Sequence, residues 1–310
     1  MENNNLQGID QNSKYSDEID LIELFKIIWQ GKLKIFIFTF LASILSVIFS
    51  LSLPNIYTSD AKLVSVSADE SSLNNISKQL GGLASFAGVS LGSGQADKTG
   101  LGLEVLRSRQ FFNTLITKYD FLVPLVASNG WDKASNSLIF DSDIYDHKLK
   151  KWIEPISITG PSTQEAHQLF LKNMNISQDK LTGIVTISIQ HYSPFIAKYW
   201  LESIIKEINE ITRVEDIEKA KRSIQYLNKE IESTKIADIK AGLNNLVETQ
   251  IEKIMIAQAT PEYLFKIIDP PIAPEKKSAP SRALICILGF LFGGIVGVIY
   301  VLINFYYKKS

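Results

Sequence analysis

The sequence is short of the residues on which most site chemistry is built. It has 1 cysteine and 3 histidines in 310 residues. That excludes a disulfide framework and a cysteine-built zinc site, and it leaves too few imidazoles for a histidine-built one. It also lacks an excess of either charge, with 32 lysines and arginines against 33 aspartates and glutamates. Proteins that grip nucleic acid carry a basic footprint, so no nucleic-acid partner is expected. A phosphate loop is missing too. Gly92, Gly94, Lys98 and Thr99 lie close together, but Asp97 stands directly before the lysine, where a Walker A loop needs glycine. No cofactor, metal or catalytic residue is expected, and the chain does not read as an enzyme. Asp141, Asp143 and Asp146 could suggest paired-carboxylate glycosidase chemistry, yet they read better as a solvated acidic turn. Trp131 and Trp152 read as packing residues rather than as sugar platforms.

What is present is hydrophobicity, at 45% of residues with a mean hydropathy of +0.07, and it sits at the two ends. Ile35–Ser59 and Ala283–Tyr307 contain no charged residue. A bilayer core of about 30 Å needs about 20 apolar residues in helix, so each run is long enough to span. Pro54 is expected to close the first span after Leu53, and this run reads as a signal anchor rather than a cleaved signal peptide. Lys26, Lys32 and Lys34 precede the first span and Lys308 and Lys309 follow the second. Both termini are therefore expected on the cytoplasmic side, with one large exported loop.

The expected organisation is a cytoplasmic tail over residues 1–34, a first span over 35–56, an exported domain over 57–282, a second span over 283–307 and a cytoplasmic tip over 308–310. Asp17–Trp29, with Ile22, Phe25, Ile28 and Trp29 on one side, reads as an amphipathic segment at the membrane interface. Gly289, Gly293 and Gly297 recur every four residues in the second span. That places them on one helix face, where they are expected to pack another helix closely.

Inside the exported domain, Ile56–Val66 alternates as a strand. Ser71–Gly102 reads as a loop, Leu103–Tyr119 as one amphipathic helix and Leu122–Ile158 as irregular. Met174–Ser177 and Gly183–Gln190 read as a hairpin. Ser193 and Pro194 then open a helix as cap and first residue, expected to run over about 193–259 with only Gly242 to interrupt it. Ile204, Ile208 and Ile211 share one seam. After a phase shift, Ile217, Ala220, Ile224, Leu227 and Ile231 repeat the spacing as a candidate oligomer or helix seam, and Leu243, Leu246, Gln250 and Ile254 resume it. Whether Ile236–Gly242 turns this helix back is open at this stage. A short strand over Tyr263–Ile268 leads into a stiff connector, 269–281, carrying Pro270, Pro271, Pro274 and Pro280.

Several of these segments together resemble the chain-length determinant (Wzz) family of polysaccharide co-polymerases, in its form without a kinase domain. The resemblance is carried by DEIDLIELFKIIWQGK before the first span, PNIYTSDAKLVSV after it, and ISIQHYSPFIAKYWLESIIKEIN with Pro194 and Ala197. It is completed by EYLFKIIDPPIAPEKKSAP leading into the glycine repeat. The proline motif is only partly kept, with Lys277 where a further proline is usual. The resemblance implies an α+β inner-membrane protein of bacteria: two transmembrane helices bracketing a periplasmic α/β base with a long extended helical trunk. It implies a homo-oligomer embedded in membrane lipid that sets the chain length of O-antigen, lipopolysaccharide or a related surface polysaccharide. Its partners would be a Wzy-type polymerase and the growing glycan. The alternative within the same superfamily is a subunit for capsule or exopolysaccharide polymerisation and export, working with a separate kinase.

Overall fold

A computed structural model describes residues 21–66, 94–153 and 160–309. Gly92, Pro155, most of the Ser71–Gly102 stretch, residues 17–20 of the amphipathic segment and Ser310 of the tip lie outside the described residues. The chain divides into two compact units, one made of residues 1–53 and 281–310 and the other of residues 54–280.

The first unit contains helices α1 (Leu21–Gln30), α2 (Lys32–Ser52) and α9 (Arg282–Lys309). Helices α2 and α9 are long and apolar enough to cross a membrane. α2 starts three residues before the uncharged run, at Lys32, and ends before Pro54. Leu53 takes an extended conformation with ψ 133°, as the residue ahead of a proline must when the ring blocks the helical region.

The second unit is built on a four-stranded antiparallel sheet in the order β6-β7-β1-β8. Its strands are β1 (Tyr57–Ser65), β6 (Met174–Gln178), β7 (Val185–His191) and β8 (Phe265–Asp269). Alternation decides its faces. Ser59, Ala61, Leu63 and Ser65 are buried, whereas Asp60 and Lys62 between them are exposed. β7 repeats the pattern with Val185, Ile187 and Ile189 inward. Such a sheet keeps one face wet and needs cover on the other.

The cover is helical. Trp200, Leu201, Ile204, Ile205 and Ile208, from the first turns of α7 (Pro194–Ser233), join the sheet's inward side chains in one core. Phe111, Phe112 and Leu115 of α4 (Arg109–Tyr119) and Phe170 of α6 (Thr163–Asn173) complete it. α7 opens as its sequence suggests. Pro194 occupies the first turn, and the Ser193 hydroxyl accepts from the Ile196 N–H.

Three expectations are corrected. The helix read over Leu103–Tyr119 is two helices, α3 (Gly94–Arg107) and α4, separated at Ser108, and α3 begins inside the stretch read as a loop, so Gly94–Gly102 is helical. Ser108 is extended (φ −73°, ψ 149°), and its hydroxyl accepts from the Phe111 N–H, so a serine in mid-pattern serves as a cap. The region read as irregular holds a short helix, α5 (Leu122–Ala127), and two small hairpins. These are β2 (Ser128–Asp132) with β3 (Ser137–Phe140), and β4 (Tyr145–Asp146) with β5 (Lys151–Trp152).

The third concerns the helix expected over 193–259. α7 stops at Ser233, and α8 (Ala237–Ala259) packs back along it. Gly242 sits inside α8, where an added Cβ would meet nothing within 4 Å, and the break falls instead at Thr234–Ile236. The Ser233 hydroxyl and the Thr234 N–H both bond the Glu230 carbonyl, the kind of local competition by serine and threonine that ends a helix without glycine or proline.

Candidate functional site

Three features were marked by the sequence: the glycine face, the seam and the proline connector. In the first unit the glycine face of α9 stands against α2. A Cβ on Gly289 would lie 2.4 Å from Ser46 Cβ. One on Gly293 would lie 2.5 Å from Ala42 Cβ and 3.0 Å from Thr39 Cα. One on Gly297 would lie 3.0 Å from Ile35 Cα. Gly294, off that face, has only the Thr39 hydroxyl at 3.8 Å. Without side chains in the way the two backbones approach closely, and dispersion along the contact replaces a hydrophobic driving force that lipid cannot supply. The hydroxyls of Thr39 and Ser43 donate to carbonyls one turn back in α2, so they cost the membrane no unsatisfied donor. Gly31 is a further close approach, with Val301 2.4 Å from its would-be Cβ, and the sequence carried no signal for it.

In the second unit the seam residues Ile217, Ile224, Leu227 and Ile231 are half-buried, with Ala220 fully so. The matching face of α8 is Leu243, Val247, Gln250, Ile254 and Ala257. Both rows keep the 4/3 spacing of a two-helix seam. Leu246, expected on that face, is 51% exposed. Val247 takes its place, because the return helix is registered by the turn at 234–236 and not by a continuous count from α7.

The connector is held rather than free. The Ser59 hydroxyl donates to the Ile272 carbonyl at 2.8 Å. The Ile56 N–H donates to the Ala279 carbonyl at 2.9 Å, and the Ser278 N–H returns a bond to Ile56 at 2.8 Å. Pro271 is buried, Pro274 and Pro280 half-buried and Pro270 exposed. A segment whose prolines cannot donate uses its few N–H groups and carbonyls to run beside β1.

Polar groups in the core tie elements together. Glu207 of α7 is buried, and its Oε2 accepts from Lys118 Nζ at 2.6 Å and from the Tyr119 hydroxyl at 2.8 Å. The hydrogen bond to Glu207 raises the pKa of Lys118, while burial, aided by the same carboxylate, raises that of Tyr119. Asp216 accepts from Tyr263 at 2.8 Å and from Lys98 at 3.1 Å. Burial pushes its pKa up, but those two donors win and hold the carboxyl below its ordinary value. Lys98, the lysine of the would-be phosphate loop, is thus committed to a carboxylate.

His191 lies buried at the end of β7, edge-on to Trp200 with ring centroids 4.8 Å apart. Its Nδ1 accepts from the Ser193 N–H at 3.0 Å, which leaves the proton on Nε2, facing the Pro124 carbonyl at 3.2 Å. Burial holds its pKa down, from 6.5 to about 4. Ser128 is 3.4 Å from that Nε2, but its hydroxyl donates to the Pro124 carbonyl. An imidazole that offers a proton where a nucleophile would need a base is a structural group. No local pattern marks this cluster, since serine and histidine are 63 positions apart.

The aspartate turn behaves as a turn. Asp141 accepts from the Asp143 N–H, and Asp146 from the N–H groups of Lys148 and Leu149. Trp131 bonds Asn136 and packs on Tyr57 and Phe195, and Trp152 packs on Tyr145; both are half-buried. Among the described residues no group of three His, Cys, Asp or Glu side chains could hold a metal ion.

These features define an α+β protein whose strand-containing unit is bracketed in sequence by two helices able to span a membrane. Residues 17–119 match the family described as Wzz: chain length determinant protein, so the resemblance read from the sequence is found in the comparison. The chain is also similar to a full-length bacterial polysaccharide co-polymerase, at 13% identity and a TM-score of 0.41 over 94% of this chain and 99% of the other. A fragment of WzzB, a polysaccharide co-polymerase from Salmonella Typhimurium, matches at 10% identity and a TM-score of 0.29, over 73% of this chain and all of the fragment. A comparison with curated proteins gave no match.

Proposed function

We propose that this chain is a chain-length determinant: an inner-membrane scaffold that assembles with copies of itself and sets how far a Wzy-type polymerase extends O-antigen or a related surface glycan. The observation that carries the reading is the family match over residues 17–119, which takes in the first span and β1. The rest of the chain agrees with it. Two spans would hold both termini in the cytoplasm and the 54–280 unit in the periplasm, where such a glycan grows. Buried polar groups such as Glu207 and His191 are engaged in tying structural elements together, a use that suits a regulator without chemistry of its own.

The reading is tested by deleting the gene and resolving the surface polysaccharide on a gel. Loss of a preferred length, with polymer still made and the band pattern restored by the wild-type gene, is the expected result. An unchanged ladder overturns it. Complete loss of a high-molecular-weight polymer, restored only together with a kinase, would move the chain to the capsule-export branch.

A further inference from the structure

We infer that the outer face of α2 near Lys32 is a binding site for an anionic phospholipid of the surrounding bilayer. The inference rests on α2 and α9 being membrane spans. A groove of about 440 Å³ is lined by Trp29 of α1, by Lys32, Phe36, Thr39, Phe40 and Ser43 of α2, and by Phe290 of α9.

Its chemistry is uneven in an informative way. Thr39 and Ser43 line it, but both hydroxyls are spent on carbonyls of their own helix, at 2.8 and 2.7 Å. The wall therefore behaves as hydrocarbon. Among the described residues that line it, Lys32 at the start of α2 is the one that carries a charge, with Nζ 5.1 Å from the Trp29 ring centroid. Tryptophan and lysine at a helix end sit at head-group depth. From Lys32 to Ser43 the helix rises about 17 Å at about 1.5 Å per residue, a little over half of the ~30 Å hydrocarbon core. The groove thus has the length of one leaflet, apolar within and cationic at the surface, which is the complement of one acyl chain under an anionic head group.

The charge around it points the same way. The acidic residues of the N-terminal segment stop at Glu23, and from Leu24 to Ser59 the sequence has no aspartate or glutamate, only Lys26, Lys32 and Lys34. A basic pocket between helices at one face of a bilayer is suited to an acidic head group. Lys34 belongs to another face, its Nζ 5.8 Å from the Tyr300 ring, and serves as the internal control.

The test uses the full chain, purified in neutral detergent and titrated with phosphatidylglycerol or with phosphatidylcholine of the same acyl chains, with bound lipid counted by native mass spectrometry. The wild type is expected to retain one phosphatidylglycerol about fivefold more strongly than phosphatidylcholine, the preference that about 1 kcal/mol from one lysine gives. Lys32→Ala is expected to abolish the preference and Lys34→Ala to keep it. Soluble glycerol phosphate should fail to compete, since the chain groove supplies the rest of the affinity. Equal retention of the two lipids by the wild type overturns the inference. So does equal loss in the two lysine variants, competition by glycerol phosphate, or displacement by a polyprenyl phosphate at concentrations where phosphatidylglycerol itself does not displace. Alkaline extraction of native membranes separates the two levels: release of the chain into the soluble fraction would defeat the span reading itself.

Discussion

The side chain of Asn209 closes a hydrogen-bonded ring on the backbone of Phe265. Its Oδ1 accepts from the Phe265 N–H at 2.8 Å, and its Nδ2 donates to the Phe265 carbonyl at 3.0 Å. Oδ1 also accepts from the Leu264 N–H at 2.8 Å. Asn209 is buried in α7, so this one amide stitches the long helix to the edge strand β8. Replacing it with leucine keeps the branched shape and strands three backbone groups. An unsatisfied buried group costs about 1–3 kcal/mol, and partial relaxation leaves about 3 kcal/mol in all. Asn209→Leu should therefore lower the melting temperature of the purified chain by several degrees and speed amide exchange at Leu264 and Phe265. A melting curve identical to wild type would refute the clamp.

The Glu207 cluster predicts behaviour in alkali. Lys118 and Tyr119 both have raised pKa values, from 10.5 and 10.0. A group whose folded pKa is raised gives its full stabilisation below the unfolded value and loses it as the pH climbs through the folded one. Stability should hold level from neutral pH to about 9.5 and fall above about 10. In Glu207→Gln the carboxylate that contributes to both shifts is gone and burial alone still acts on Tyr119, so the alkaline decline should begin at the same pH and be shallower. Thermal melts of the two proteins between pH 8 and 11 measure this. Coincident curves would remove Glu207 as the cause.

His191 predicts the opposite limb. Its pKa is held at about 4 by burial, against 6.5 unfolded, so the folded state keeps it neutral while the unfolded chain takes up a proton between those values. Stability from this group is complete above about 6.5 and is lost as the pH falls toward 4. The shift corresponds to about 3 kcal/mol at about 1.4 kcal/mol per unit. His191→Gln should be less stable at pH 7, having lost the ring that packs on Trp200, yet show a shallower decline into acid. An unaltered acid slope would mean that another group titrates there.

How much of this was legible in advance depends on the range of the interaction. The spans, β1, the β6–β7 hairpin and the Ser193–Pro194 opening were readable because hydropathy, period-2 alternation and capping are local signals. The two helices at Ser108 were not, since the apolar period runs across the break and only the cap geometry reveals it. Thr234–Ile236 carries no glycine or proline, so the pattern pointed to Gly242 as the interruption. The true turn follows from α8 packing on α7, a tertiary choice that also moved the seam from Leu246 to Val247. Asn209, Glu207 and His191 were invisible for the same reason: each meets its partners across 55 to 89 positions, apart from the Ser193 and Trp200 contacts of His191. A single buried polar residue in a long helix looks like any other interruption of an apolar row.

The α2–α9 contact can be tested by comparing adjacent glycines. A leucine at Gly293 must displace Ala42 and the Thr39 backbone, because even its Cβ would fall within 3.0 Å of both. A leucine at Gly294 meets only one hydroxyl at 3.8 Å. Both substitutions add the same apolar bulk to the same helix, so differences in span hydrophobicity cancel. Gly293→Leu is expected to separate the helices: a spin-label pair on the exposed Leu45 and Leu291 in the purified protein should report a longer distance, and the polysaccharide ladder should shift. Gly294→Leu should leave both near wild type, since the close packing that small residues permit is not made there. Equal effects at the two positions would show that hydrophobic bulk, and not the approach of the two backbones, is what the span senses.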